Sequence, residues 1–285
     1  MSTPNAEFIA VWNEILVPKF KRFRDVFVTG ASPHSAIPMA KHPPRSGERV
    51  LDVGCGFGET TIDLARLVGP KGSAVGFDCC DGFLDVGRQD ARAAGIDNVS
   101  FLCGDAQADA FDGSFDLLFS RFGTMFFQAP KAALRNLRTA LRPGARLLNV
   151  TWRPLASNPW VAIPKAIALQ HLPPPPEDGR SCGPGPFSMS DPEVVRAIVE
   201  GAGFGDVAFE QIDSPIVVGR DVTEAIDFQL EVGPAGEIVR EAGDLGKQNR
   251  AGLIADLRLA LEPFVTPRGV VMGSSSWCIT ATNPA

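Results

Sequence analysis

Three glycines and two carboxylates carry the most telling chemistry in this chain. The segment Val50-Leu51-Asp52-Val53-Gly54-Cys55-Gly56-Phe57-Gly58-Glu59-Thr60-Thr61 delivers an apolar run into a glycine-rich turn and then into helix-forming residues. Gly54, Gly56 and Gly58 permit backbone conformations and a close approach that side chains would block. The free N–H groups of the following helix face whatever rests on that turn. Asp78 ends the next apolar run, 24 residues after Gly54, where an acidic side chain accepts hydrogen bonds from ribose hydroxyls. The glycines alone fit a tight strand–helix turn equally well. The carboxylate at Asp78 is what turns the pattern into a nucleoside site.

The spacing narrows the ligand. A dinucleotide fingerprint reads G-x-G-x-x-G, whereas this turn reads G-x-G-x-G and is followed by Glu59. Glu59 stands where a diphosphate would meet the helix N-terminus, an unfavourable neighbour for an anion. A ligand with a cationic centre and no phosphate suits the turn better, and a nicotinamide-dependent oxidoreductase is disfavoured.

Other reactive side chains are few. There is no Tyr, and His34, His42 and His171 are the only imidazoles. The first two precede the glycine turn and the third falls in a proline-rich stretch, so all three are expected as surface-loop residues. His34, Arg121 and His171 are the candidates for a catalytic side chain. Arg121 follows Ser120 at the carboxyl end of an apolar run, where open α/β sheets bind ligands. It is expected to steady a local carboxylate such as Asp52 more than to pair with an acidic substrate. No His or Cys spacing suggests a metal site, and the adjacent Cys79 and Cys80 read as pocket lining. The basic run Lys19-Lys21-Arg22-Arg24 reads as a solvated helix face.

Several elements must position these groups. Short apolar runs at 50–54, 73–78, 99–102, 115–120 and 146–152 alternate with helix-like stretches at 60–68, 82–94 and 130–141. This repetition predicts parallel βαβ units in a doubly wound α/β sheet. Upstream, Phe8, Trp12, Ile15, Leu16, Phe20, Phe23 and Phe27 form one helical stripe, bent or broken near Pro18. Residues 153–192 hold ten of the 24 prolines and are expected to be an irregular lid with polyproline character at Pro173–Pro176. Trp152, Trp160 and Phe187 bracket it; core packing is the default for such aromatics, and walling a hydrophobic acceptor pocket is the alternative. A helix from Pro192 to Gly201, a strand near 207–212, helices at 222–232 and 236–261 and a final strand at 270–282 complete the order. The expected organisation is a helical cap at 1–45 and a main domain at 46–285, with the lid at 153–190.

Composition sets the outer limits. The chain has 285 residues, 45% of them apolar, and a net charge of −6, enough for a large core and too acidic for a nucleic-acid footprint. No stretch approaches a membrane span, the N-terminus lacks a cationic leader, and the six cysteines form no framework, which together point to the cytoplasm.

The chain resembles the class I S-adenosylmethionine-dependent methyltransferases, on its small-molecule, quinone-biosynthesis-like branch. Val50–Thr61 is similar to that family's first motif, Gly76–Cys80 to its second, Val99–Ala106 to its third and Phe115–Phe122 to its fourth. Leu141–Leu147 matches the turn into the fifth strand, and the likeness covers about residues 45–153 most strongly. It implies a Rossmann-like seven-stranded sheet, mostly parallel with an antiparallel terminal strand, and methyl transfer from S-adenosyl-L-methionine to a small-molecule acceptor by in-line displacement, leaving S-adenosyl-L-homocysteine. It assigns Asp52, Gly54, Cys55, Gly56 and Gly58 to the methionine side of the cofactor, and Asp78 to the ribose hydroxyls. Cys79 and Phe83 would flank the adenine, Asp105 and the Ala106 N–H would read its edge, and the Ser120 carbonyl would bind the ammonium. Cys80 departs from the family by standing where Ser is more usual. The acceptor is left open as to nucleophile, with a hydrophobic molecule favoured, and both monomer and homodimer stay open. The alternative is a protein that binds the cofactor or its product without chemistry.

Overall fold

The computed structural model describes residues 5–176 and 183–284. The chain begins with α1 (Ala6–Val11), a π-helical turn (Trp12–Leu16), α2 (Val17–Arg22), α3 (Arg24–Ala31) and α4 (Pro33–Lys41). Pro18 does not break this run. It occupies the first turn of α2, where a missing N–H costs little, and the chain adapts by widening the preceding turn to π geometry. The break comes at Phe23, which leaves helical conformation with φ −105° and ψ 23°.

The βα alternation follows as β1 (Arg49–Val53), α5 (Glu59–Val68), β2 (Ser73–Asp78), α6 (Asp81–Ala93), β3 (Val99–Cys103), β4 (Phe115–Arg121), α7 (Pro130–Arg138) and β5 (Leu141–Trp152). β4 is buried along its whole length, as expected for a central strand covered on both faces. Full burial of side chains such as Leu117, Leu118 and Phe119 contributes roughly 1.5–3 kcal/mol each. β5 starts earlier than the apolar run suggests. Its register against β4 jumps from Phe115–Leu141 to Leu117–Arg146, so the Arg142-Pro143-Gly144 turn becomes a bulge at the strand's start.

After β5 the fold departs from an irregular lid. Residues Pro159–His171 form α8, a 13-residue helix packed into an apolar cluster with Phe23, Phe228, Leu253 and Leu257. Pro159 sits in its first turn, and burial of Val161, Ile167 and Ala168 offsets the interior Pro164. Pro173–Pro176 has neither helix nor strand, and residues 177–182 of the expected lid lie outside the described residues. Then come α9 (Pro192–Gly201), capped by the Asp191 side chain, β6 (Gly205–Gly219), α10 (Val222–Glu231), α11 (Pro234–Glu241), α12 (Gly243–Leu261), β7 (Val265–Thr266) and β8 (Gly269–Thr282). The single helix expected at 236–261 is two helices, divided at Gly243, whose φ is +54°. β6 is longer than its apolar core because it pairs with β8 along almost its full length.

The strand order is β3-β2-β1-β4-β5-β8-β6, with β7 folded back on β8. β1 to β5 are parallel, and β8 runs antiparallel to both β5 and β6. The two-residue β7 adds an eighth strand to the expected seven. From β1 the chain winds one way to β2 and β3, and from β4 the other way to β5. The crevice between the carboxyl ends of β1 and β4 is therefore the switch point at which such sheets bind ligands.

Candidate active site

The turn after β1 is built by its glycines. Gly54, Gly56 and Gly58 have φ of +67°, +55° and +80°. A Cβ on Gly54 would lie 2.7 Å from the Gly123 Cα, and one on Gly58 would strike the Phe101 ring, whereas one on Gly56 would meet nothing within 4 Å. Gly54 and Gly58 thus let the backbone pack, and Gly56 leaves open space above the turn. The Gly54 N–H donates to the Phe77 carbonyl at 2.8 Å. Beneath it, the Asp52 Oδ2 accepts from the Thr60 and Thr61 hydroxyls, each at 2.7 Å, stitching β1 to the first turn of α5. Its Oδ1 is buried without a donor. Burial raises the Asp52 pKa to about 6, against the opposing pull of the two hydroxyls and of Arg121.

Asp78 closes the far side of the turn. Its Oδ2 accepts from the Gly56 N–H at 2.9 Å and its Oδ1 from the Cys80 N–H at 3.0 Å. Burial pushes its pKa up and these N–H groups pull it down, with an upward net shift. Asp105 accepts from the Gln107 N–H at 2.9 Å and from the Asn5 amide at 2.8 Å, and the Asn13 amide donates to the Cys79 carbonyl at 3.2 Å. The N-terminal helices are thereby hydrogen-bonded to two residues of the expected adenine pocket. Phe83 packs edge-on to Phe57, Trp12 and Phe20. Ser120 is buried, its hydroxyl donating to the Val53 carbonyl at 2.7 Å, and so ties the ends of β1 and β4 together.

One cavity of ≈ 1890 Å³ of empty space, including its mouth, joins these groups. Gly54, Cys55, Gly56, Asp78, Cys79, Phe83, Asp105, Ala106 and Arg121 line it, while Asp52, Gly58 and Ser120 lie behind the wall. Trp152, Trp160 and Phe187 line its other half with Phe20, Phe27 and Phe228. At the end of β4, Phe122 takes φ +61°, an unusual conformation for a bulky residue, and stacks on Trp152 with ring centroids 3.8 Å apart.

The catalytic candidates separate. His34 is not a surface-loop residue: it lies on α4 with 0% exposure. Its Nδ1 and Nε2 sit 2.7 Å from the hydroxyls of Ser276 and Ser274, and its ring packs edge-on to Trp152 and Phe122. Burial lowers its pKa to about 4. Two satisfied ring nitrogens and a position outside the cavity wall leave it no substrate to deprotonate. His171 ends α8 with its Nε2 hydrogen-bonded to the Asp256 carboxylate at 2.7 Å, also away from the cavity. Arg121 does face the cavity, but the carboxylate it holds is Glu59 rather than Asp52, because α5 presents its first residue directly to the end of β4. The basic run of the cap is also not a free face: Lys19 and Arg22 pair with Glu231, and Arg24 with Asp90, tying α2 and α3 to α10 and α6.

Among the described residues one grouping has metal-type ligand atoms, Asp78, Cys79 and Cys80, all within 4.8 Å of one another. Both Asp78 oxygens are engaged by backbone N–H groups, and the contact with Cys79, together with burial, pushes the Cys80 thiol up. Sequence reasoning missed the Glu59–Arg121 pair and the cap residues Asn5 and Asn13. The only available signal was Glu59 itself, marked as ill-suited to a phosphate.

An open doubly wound sheet with a glycine turn at its switch point, acidic residues ending β2 and following β3, and an aromatic chamber beyond defines a protein with a nucleoside-type ligand site of the kind such sheets carry. A family model described as a methyltransferase domain matches residues 44–171. The ubiquinone/menaquinone biosynthesis C-methyltransferase of Pseudomonas aeruginosa is 32% identical over 182 residues, spanning 61% of this chain and 71% of that protein. The enzyme of the same description from Shewanella baltica is 41% identical over 106 residues, 36% of this chain and 42% of its own. Two solved structures share the fold. YcgJ of Bacillus subtilis has a TM-score of 0.54 at 19% identity, covering 88% of this chain and 98% of its own. Phosphoethanolamine N-methyltransferase 2 of Haemonchus contortus, in complex with S-adenosyl-L-methionine, has a TM-score of 0.55 at 17% identity, covering 99% and 58%. The chain belongs to the class I S-adenosylmethionine-dependent methyltransferase family, on its quinone-biosynthesis-like side. It is an enzyme that transfers a methyl group from S-adenosyl-L-methionine to a small-molecule acceptor, which sets aside the binding-protein and oxidoreductase alternatives. No helix among the described residues is long and apolar enough to cross a membrane.

Proposed function

We propose that the acceptor is an uncharged, largely apolar aromatic molecule, seated between the N-terminal helices, α8 and α10–α11. The observation that carries this reading is the chamber's lining. Trp12, Phe20, Phe27, Trp152, Trp160 and Phe228 surround it, and among the described residues the two arginines on its wall are already neutralised, Arg121 by Glu59 and Arg240 by Glu241. An anionic acceptor would have to break one of these pairs in a site of low dielectric, at a cost no exposed ion pair carries.

The residues present fit the cofactor. Gly56 leaves room above the turn, and the Asp78 carboxylate, which lines the cavity, has lone pairs beyond its two N–H partners for the ribose hydroxyls. When bound, the cofactor supplies an activated methyl group on sulfur. Gly54, Cys55 and Gly56 hold its methionine end, while Asp52, Gly58 and Ser120 act from behind the wall, Asp52 and Ser120 by tying β1 to α5 and to β4 and Gly58 by shaping the turn. Asp78 fixes the ribose, and Cys79, Phe83, Asp105 and Ala106 enclose the adenine. Phe8, Trp12, Phe20 and Phe27 of the N-terminal cap line both halves of the cavity, and Trp160 and Val161 of α8 with Pro186 and Phe187 wall the acceptor half.

With no imidazole on the wall, catalysis here consists of positioning and exclusion of water, which is worth roughly 7–11 kcal/mol in well-oriented systems. A nucleophile already reactive near neutral pH fits such a site. The free thiols of the described cysteines support action in the reducing cytoplasm.

The test is calorimetric titration with S-adenosyl-L-methionine, S-adenosyl-L-homocysteine and NAD, followed by labelled methyl transfer to matched neutral and carboxylated aromatic acceptors. Binding of the two sulfur ligands, no binding of NAD and transfer to neutral acceptors only are expected. Equal transfer to the carboxylates would refute the acceptor class and leave the cofactor standing.

A further inference from the structure

The buried residues of α10 are apolar except at one position. Ala225, Ile226, Phe228 and Leu230 are joined there by Gln229, which is 3% exposed and lines the cavity beside Phe228 and Trp160. An amide shut away from water is costly unless both of its polar ends are matched.

One end is matched, for a reason that lies in α8. Trp160 is the second residue of that helix, and its carbonyl would ordinarily accept the N–H of residue 164. Residue 164 is a proline inside the helix and has no N–H to give. The Gln229 Nε2 takes its place, donating to the Trp160 carbonyl at 2.8 Å. The same bond fixes the orientation of the amide, since only its nitrogen end can serve a carbonyl. The Oε1 is therefore held as an acceptor. No donor among the described residues reaches it, and it is not sealed in by packing as the orphan Asp52 Oδ1 is. What remains accessible of this side chain opens on the cavity.

We propose that Gln229 is a specificity-determining residue for the acceptor, its amide oxygen taking a hydrogen bond from an O–H or N–H group on the aromatic molecule. This rests on the reading that a neutral aromatic acceptor occupies this half of the cavity, and it narrows that class to molecules that carry such a donor. The need of the Trp160 carbonyl accounts for the nitrogen end of the amide only. Against a molecule without a donor the oxygen stays unpaired in an apolar chamber. A site built around a hydrogen bond rejects such a ligand more strongly than it rejects a small change in size.

The experiment is calorimetric binding of 1-naphthol and of its methyl ether, 1-methoxynaphthalene, to the full chain saturated with S-adenosyl-L-homocysteine. The parent is expected to favour the naphthol about tenfold, the size of one buried hydrogen bond, and Gln229→Met to bind the two within about twofold of each other. Gln229→Met also strips the Trp160 carbonyl of its donor, so both probes are measured again in Pro164→Ala, which restores the helical N–H, and in the double variant Pro164→Ala, Gln229→Met. Pro164→Ala should keep the preference and the double variant should lose it. Equal binding of the two probes by the parent, or a preference that survives the loss of Gln229, would overturn the proposal. Binding of neither probe to the loaded parent would overturn the aromatic-acceptor reading and this proposal with it, a result distinct from equal binding of both.

Discussion

Asp78, the last residue of β2, accepts the N–H of Gly56 at 2.9 Å, so the carboxylate expected to hold the ribose also fixes the middle of the glycine turn. One side chain thereby sets both the cofactor's sugar and the backbone beneath its methionine end. Asp78→Ala removes both functions. It is expected to weaken S-adenosyl-L-methionine and S-adenosyl-L-homocysteine equally, by about 3 kcal/mol or some hundredfold, in a calorimetric titration. An affinity unchanged from the parent would show that the ribose is held elsewhere.

Asp52 and His34 predict opposing responses to acid. Burial raises the Asp52 pKa from 3.8 to about 6, so the folded state gains stability as pH falls through that interval. Burial lowers the His34 pKa from 6.5 to about 4, so the folded state loses stability over nearly the same range. Each contribution is about 3 kcal/mol, and in the parent they largely cancel. Denaturant unfolding of Asp52→Asn should therefore show a steep loss of stability from pH 6.5 to 4, and His34→Gln a gain. The same Asp52→Asn chain is expected to be more stable than the parent at pH 8 by about 2–3 kcal/mol, at the expense of cofactor affinity. Parallel pH profiles for all three proteins would contradict this assignment.

Gly54 and Gly56 differ in what an added side chain would meet. Gly54→Ala drives a Cβ to 2.7 Å from the Gly123 Cα and strains a left-handed backbone, so thermal unfolding should show a loss of more than about 2 kcal/mol. Gly56→Ala meets no atom of the protein and carries only the backbone strain, about 1 kcal/mol. Its methyl group points into the open space above the turn, so this variant should stay folded and lose cofactor binding. A Gly56→Ala chain with parental affinity would place the cofactor off the turn.

The cap is expected to respond to the cofactor. Asn5 and Asn13 link the N-terminal helices to Asp105 and to the Cys79 carbonyl. Amide hydrogen exchange over residues 6–22 should slow when S-adenosyl-L-homocysteine binds, and the double variant Asn5→Ala, Asn13→Ala should lose most of that protection. Exchange indifferent to the ligand in both proteins would separate the cap from the cofactor site.

How much of this was legible beforehand follows from the range of each signal. The βα alternation, the glycine turn, the helix start at Pro192 and the strand ends at Asp78 and Ser120 are written in windows of about ten residues, through side-chain periodicity and the special conformations of Gly and Pro. The sequence alone therefore determined the doubly wound sheet, the crevice at its switch point and the class of ligand that a G-x-G-x-G turn with Glu59 accepts. It could not place groups that meet across the fold. His34 reads as a loop residue until α4 packs on β8 and brings Ser276, 242 positions away, against its ring. Arg121 finds Glu59 rather than Asp52 across 62 positions, a choice made by the orientation of α5 on the sheet. The proline-rich stretch hides α8, since the helix is stabilised by an apolar cluster drawn from α3, α10 and α12 and not by its own propensity. Burial, and with it the ionisation of Asp52 and His34, is a property of those assembled layers, because desolvation depends on every element that covers a group and no local pattern contains that information.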